Sequence, residues 1–370
     1  MEKMGIIKQN KSERNIGIEM LRIFATLMVI MLHTFGSTNI LTQNLGNSKG
    51  AVLWFFEIVS YCAVNCFALT SGYVSCRNKF KLSRILYLWF QVVFIFVVMT
   101  ISLGCISPEK VEPNAYIKMF FPISMNLNWY FTAFFGVYFF APFLNILMQN
   151  MSEKQHKFLM AVIFALFCVL PTIPVVSDSF GTDGGYSFVW LMAMYIVGGY
   201  IRIYGVTKPE NKYKWLAGFF ATNLFVWTWF VVVHYVTDKF LGGARYHSVF
   251  ISYVSPFVLF SAICLMEFFL ATNIKRGSKI VCKISSVTFG VFIFHTQDLY
   301  WIFGLRKPME AVYDENAFVV IFVVFAVVIT TFIVCGIATY LQMSLFKAIG
   351  INRFCDFLQK KLLTKVKDEK

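Results

Sequence analysis

The chain has 370 residues, of which 58% are hydrophobic and only 14% charged, with a mean hydropathy of +0.67. A water-soluble globular domain does not carry that balance, so the composition defines an all-α, polytopic helical membrane protein. The net charge of +14 does not point to nucleic acid, because the cations gather at the ends of apolar runs and read as membrane topology.

Residues 1–16 are polar and basic, and no small-residue cleavage pattern follows them, so the first apolar run is expected to stay in the mature protein. That run, GIEMLRIFATLMVIMLHTFG from Gly17 to Gly36, carries Glu19, Arg22 and His33 in a helix of membrane-spanning length. At ~100° per residue, Arg22 and His33 lie about three turns apart with only ~20° left over, and Glu19 and Thr26 fall within roughly 60° of the same line. The four residues form one polar stripe on an apolar rod. The helical rise separates Arg22 from His33 by roughly 16 Å, about half the hydrocarbon thickness. A snorkelling Arg and a hydrogen-bonded packing His would explain the stripe without any chemistry.

Apolar segments recur at 17–37, 50–75, 84–104, 128–149, 157–176, 187–205, 214–235, 249–271, 285–304 and 316–342, which makes about ten transmembrane helices. Most of the 33 cations fall in alternate connections. They include Lys3, Lys8, Lys11 and Arg14 before the first span, Arg77 to Arg84 after the second, Arg202 and Lys208 after the sixth, Lys275 and Arg276 after the eighth, and the tail from Lys347 to Lys370. The positive-inside rule therefore expects both termini in the cytoplasm. The organisation is a cytoplasmic segment 1–16, a membrane domain 17–342, and a basic cytoplasmic tail 343–370 that is expected to lie on the anionic inner leaflet.

Four cations, Arg77, Lys79, Lys81 and Arg84, crowd the inner mouth of the second and third spans, where they serve either as topology signals or as a phosphate-binding mouth. Trp129, Tyr130 and Phe131 open the fourth span at its outer boundary, as an aromatic belt would, or as a sugar-stacking platform. The loop Ser177 to Tyr186 sets Asp178 and Asp183 among glycines with no cation and reads as a plain surface turn, or as a contact for a hydroxyl-rich ligand. In the seventh span Asn223 and His234 share a face, with His234 near the outer interface. In the ninth, Thr288, His295 and Asp298 are expected on nearly one face, where His295 either lines a cavity or positions His33, or is a satisfied packing histidine. Nine cysteines, most inside apolar runs, suggest neither a disulfide framework nor a metal site, although Cys62 and Cys66 stand at i, i+4.

Several of these segments together resemble a known family. Arg22, ten residues and then His33 in a first helix, the Ser71-Gly72-Tyr73 turn, and the basic loop to Arg84 are similar to the acyltransferase-3 family of integral membrane O-acyltransferases. Asn128-Trp129-Tyr130-Phe131 leading to Pro142-Phe143-Leu144, and Ser285 to Gly290 ahead of Phe294-His295, extend the likeness from about Ile16 to Tyr340. Glu19 stands where the family commonly has Asp, which keeps the charge.

The resemblance implies a stand-alone bacterial enzyme of the cytoplasmic membrane that acylates a cell-surface glycan or lipid-linked sugar. Acetyl-CoA would be the donor, no metal would take part, and a separate extracytoplasmic protein could receive the product. On that reading Arg84, Arg77, Lys79 and Lys81 would hold the CoA phosphates and Arg22 would line the path of its arm. His33 would be the general base or a transient acyl carrier, with Glu19 orienting Arg22 and with His295 and Asp298 in support. The competing class is a transporter or flippase for an envelope saccharide precursor, with Arg22, His33 and Asp298 along a substrate or proton path. A catalytically silent membrane anchor is the third possibility.

Overall fold

The computed structural model describes residues 15–174, 178, 180–205, 209–272 and 277–368. Lys3, Lys8, Lys11, Arg14, Lys208, Lys275, Arg276 and Lys370, all used above to orient the chain, lie outside the described residues, as does Ser177 of the Asp178 loop. Among the described residues every regular element is helical, and eight helical segments are long and apolar enough to cross a membrane. Two shorter apolar helices, Phe188–Tyr204 and Pro256–Leu270, complete a set of ten that matches the ten apolar stretches of the sequence. The protein is a polytopic helical membrane protein.

Helix α1 (Ile16–Gly36) begins where the Asn15 side chain accepts the Ile18 amide, which satisfies one orphan donor of its first turn. It is the most enclosed of the eight long segments. Its first half, through Ile18, Leu21, Ala25 and Val29, packs into one apolar core, and Ile30, Met31 and Phe35 of its second half enter another. On a helix between two cores the exposed apolar position is Phe24, and the polar stripe lies elsewhere on its surface. Phe143, Phe158, Phe318 and Phe322, on peripheral helices, are exposed as well, as side chains that meet lipid should be.

The second span is two helices, α2 (Ser48–Ser60) and α3 (Ala63–Ser75), with a turn at Tyr61 and Cys62. Ser71, Gly72 and Tyr73, expected as a turn, are the penultimate turn of α3 instead. Their glycine serves packing. A Cβ on Gly72 would run into the Tyr195 carbonyl, and one on Gly198 into the Leu69 carbonyl, so α3 and α7 (Phe188–Tyr204) cross with their backbones in contact. Between them lie α4 (Leu82–Ile106), α5 (Trp129–Asn150) and α6 (Glu153–Ile163).

Beyond α8 (Lys212–Leu241), two expectations change. The stretch 249–271 is helical only from Pro256, as α9 (Pro256–Leu270), because 249–255 form a string of turns. The stretch 285–304 is not one helix. It contains the end of α10 (Ser278–Ser285), then α11 (Thr288–His295), and is broken again at Gln297, whose extended backbone (φ −79°, ψ 145°) re-aims everything after it. The chain closes with α12 (Ala317–Ala348) and α13 (Ile351–Asp368), the latter tied to the start of α4 where the Ser83 amide donates to Gln359.

Candidate active site

A cavity of about 1830 Å³ follows α1 for most of its length, with Glu19, Arg22, Val29, Leu32 and His33 along its wall. The sequence stripe is therefore a cavity wall, with one exception. Thr26 is fully buried and its hydroxyl donates back to the Arg22 carbonyl, so it serves the helix and not the cavity.

At the far end of the stripe, His33 Nδ1 lies 2.8 Å from His295 Nε2, and His295 Nδ1 lies 2.8 Å from the Val291 carbonyl oxygen. A carbonyl only accepts, so His295 donates its Nδ1–H to Val291, and its neutral ring presents a lone pair at Nε2. His33 must then donate Nδ1–H to that lone pair. The unshared lone pair of the pair is left on His33 Nε2, the geometry of an oriented base. Trp301 packs beside His33 at 5.5 Å between ring centres and also borders the cavity.

Around the N-terminal turns of α1 the wall is cationic. Arg22 pairs with Glu19 at 3.4 Å, and Glu19 also accepts the Ser285 hydroxyl, so the carboxylate is held from α10 and in turn orients the guanidinium. Arg77, at the end of α3, and Arg84, at the start of α4, border the same space. So does Arg202 of α7, whose guanidinium donates to the Tyr73 hydroxyl at 3.1 Å and sits 5.0 Å over that ring. Arg202 had signified only topology in the sequence, since nothing local tells that α7 delivers it to this mouth. Lys79 and Lys81, expected beside Arg77 and Arg84, are exposed and do not border the cavity. Lys81 contributes only its carbonyl, which accepts the Tyr138 hydroxyl.

Asp298 is a correction. It follows the break at Gln297, is exposed, and does not border the cavity, because the face shared with His295 exists only on an unbroken helix. Thr288 does border it. Asn223 bonds to Ser261 and its own helix, and His234 packs against His247; neither borders the cavity. Trp129 and Tyr130 do, so they are more than a belt at the interface. Sequence reasoning missed Glu57, Tyr61 and Tyr253 outright and singled out the loop that ends at Tyr186 without that side chain; all four line the cavity. They come from three separate stretches, and only Glu57 and Tyr61, four residues apart, are joined by any spacing in the sequence.

Fold and site together define a multi-pass membrane protein with a hydrogen-bonded histidine pair, one member of which borders an internal cavity that also carries arginines. The family model for the acyltransferase-3 acyltransferase domain matches residues 15–340, and the chain belongs to that family. It is an acyltransferase. No curated protein and no solved structure matches it.

Proposed function

We propose that the protein transfers an acyl group, acetyl being the family-implied choice, from cytoplasmic acyl-CoA to a hydroxyl of an extracytoplasmic glycan or lipid-linked sugar. The observation that carries this reading is the His33–His295 pair, which leaves His33 Nε2 as a free base in a cavity that runs past a cluster of arginines. The orientation follows from the positive-inside distribution, with both termini in the cytoplasm of a bacterial cell. The cationic mouth then opens inward and the aromatic end outward.

An acyl-CoA fits that layout as a donor, with anionic phosphates at one end of a long thin arm and the thioester at the other. Arg84, Arg77 and Arg202 would receive the phosphates by charge-assisted hydrogen bonds, and Arg22 would flank the arm. His33 Nε2 takes the proton of the acceptor hydroxyl as its oxygen attacks the thioester carbonyl. The new C–O bond forms, the C–S bond breaks, and His33 returns the proton to the departing thiolate. His295 accepts the His33 Nδ1–H throughout and stabilises the imidazolium as it forms. Transfer onward to a distant polymer would call on a separate extracytoplasmic protein.

The test uses sealed inside-out vesicles, radiolabelled acetyl-CoA, and extracted lipid-linked sugar or glycan, comparing wild type with His33→Ala at matched protein levels. Label is expected in the saccharide fraction only with His33 present. Transport of unmodified saccharide, with no label transferred from any acyl-CoA donor, would support the flippase alternative.

A further inference from the structure

The outward end of the cavity carries a carboxyl group for which the donor has no use. Glu57, one turn before the end of α2, borders the cavity, and its Oε2 is fully shielded without a hydrogen-bond partner. No ion pair to Glu57 forms among the described residues. A buried carboxyl with an unmet acceptor costs on the order of 1–3 kcal/mol or more, a penalty that a ligand bringing its own donors removes.

Four aromatic rings stand with it on the same cavity wall. Tyr61 and Tyr253 have ring centres 5.0 Å apart, Tyr253 and Tyr186 4.8 Å, and Tyr186 and Trp129 4.7 Å. The rings come from four stretches of chain, yet they are fixed. Asn65 donates to the Tyr253 carbonyl and accepts the Trp190 indole N–H, at 2.8 Å and 2.9 Å. The Ser252 hydroxyl donates to the Gly184 carbonyl at 3.0 Å, and Gly185, at φ +99°, lies so close that a Cβ would collide with Tyr253. The loop that carries Tyr186 is shaped in addition by Asp178, whose carboxylate accepts the Thr182 amide and hydroxyl and the Asp183 amide. The loop that looked like a surface turn thus delivers an aromatic side chain into the cavity.

This wall belongs to the reaction centre's own space. The Ser60 hydroxyl donates to Met31 sulfur at 3.3 Å, so the end of α2 touches α1 two residues before His33. Apolar ring faces beside a carboxyl suit one ligand chemistry above others, a pyranose, whose C–H face stacks on aromatic rings while its edge carries hydrogen-bond donors. We infer that Glu57, Tyr61, Tyr186, Tyr253 and Trp129 form the acceptor subsite, binding one pyranose unit with a hydroxyl or ammonium group donated to Glu57. The inference rests on the acyl-transfer reading above and names the residues that select its acceptor.

Two probes separate the donor types: cellotetraose, which offers hydroxyls alone, and the tetramer of glucosamine, which adds ammonium groups. Binding to the purified protein in detergent is followed by tryptophan fluorescence, with Trp129→Phe showing which signal comes from the wall. At least one sugar should give a saturable change that Glu57→Gln, of equal size, weakens by about tenfold, because the amide replaces the carboxyl OH or O⁻ with an NH2 group and leaves one ligand hydrogen bond unmade. Tyr61→Phe, which keeps the ring, should weaken it by less than threefold, whereas Tyr61→Ala should weaken it strongly. Response to cellotetraose assigns a hydroxyl to Glu57, and response to the amino sugar alone assigns an ammonium. The absence of a saturable change with both sugars, or binding equal to wild type in Glu57→Gln and Tyr61→Ala, overturns the subsite. The vesicle assay with labelled acetyl-CoA separates the two readings. If wild type acylates saccharide while these variants keep its acceptor KM, only the subsite fails; if wild type acylates nothing, the acyl-transfer reading fails.

Discussion

On the proposed mechanism His33 depends on a residue 262 positions away, because the contact with His295 decides which of its nitrogens carries the proton. A lone buried imidazole can hold its proton on either nitrogen, and the Nε2–H tautomer would present an N–H to the acceptor hydroxyl where a lone pair is needed. His295, locked by the Val291 carbonyl, removes that ambiguity. It is a positioning residue, and its loss should reach the chemistry without reaching donor binding. His295→Leu is expected to lower kcat by roughly 10²-fold, within the range that general-base catalysis contributes, and to leave the acyl-CoA KM within about twofold. His295→Gln, whose amide oxygen can accept the Nδ1–H, should recover part of the loss. A parallel rise in KM in both variants would mean that the residue merely holds the helices apart. The Arg22 and His33 relation was legible in the sequence because it depends only on the helical period. The polar character of His295 was legible too, but its pairing needed two helices brought together. The expectation for Asp298 failed on one residue, Gln297, whose extended backbone ends the helix that the face argument assumed.

Helices α3 and α7 are held by the absence of side chains. Gly72 and Gly198 let the two backbones meet carbonyl to Cα, and the crossing sets Tyr73 and Arg202 side by side at the cationic mouth. A methyl group at either glycine has backbone as its obstacle, which cannot rotate away, so the helices must separate. Gly72→Ala and Gly198→Ala should each destabilise the protein by about 1–3 kcal/mol and lower the unfolding temperature in detergent. Gly36→Ala, where a Cβ would meet nothing within 4 Å, should leave that temperature unchanged within error. Equal melting of all three variants would contradict the close crossing. Long apolar runs announced the elements, since membrane length and hydropathy are local properties. The break at Tyr61–Cys62 falls in apolar sequence that continues on both sides, and the one at Gln297 falls in the polar run His295-Thr296-Gln297-Asp298, which a face argument on one continuous helix reads through.

At the scale of the whole molecule, arginines and a group of aromatic rings border one cavity together with His33, and on the proposed reading the two groups serve donor and acceptor. Charge density near the mouth does not by itself say which cations belong to it. Arg84 and Arg202 border the cavity, whereas Lys79, only five residues from Arg84 and exposed as Arg84 is, does not. A solvated surface cation is screened beyond about 8 Å at physiological salt, while a guanidinium on the cavity wall can form a direct bidentate contact to phosphate. Arg84→Ala and Arg202→Ala should therefore each raise the acyl-CoA KM by about tenfold with kcat little changed, the signature of binding shared by ground and transition states. Lys79→Ala should move it by less than about twofold, and 0.5 M salt should erase that small effect while leaving most of the effect of Arg84→Ala. Initial rates in vesicles over a range of acetyl-CoA and salt concentrations measure all three. Equal effects from Lys79 and Arg84 would make the basic loop a diffuse electrostatic attractor, and the donor would then be guided to the mouth by field alone instead of being gripped by its wall.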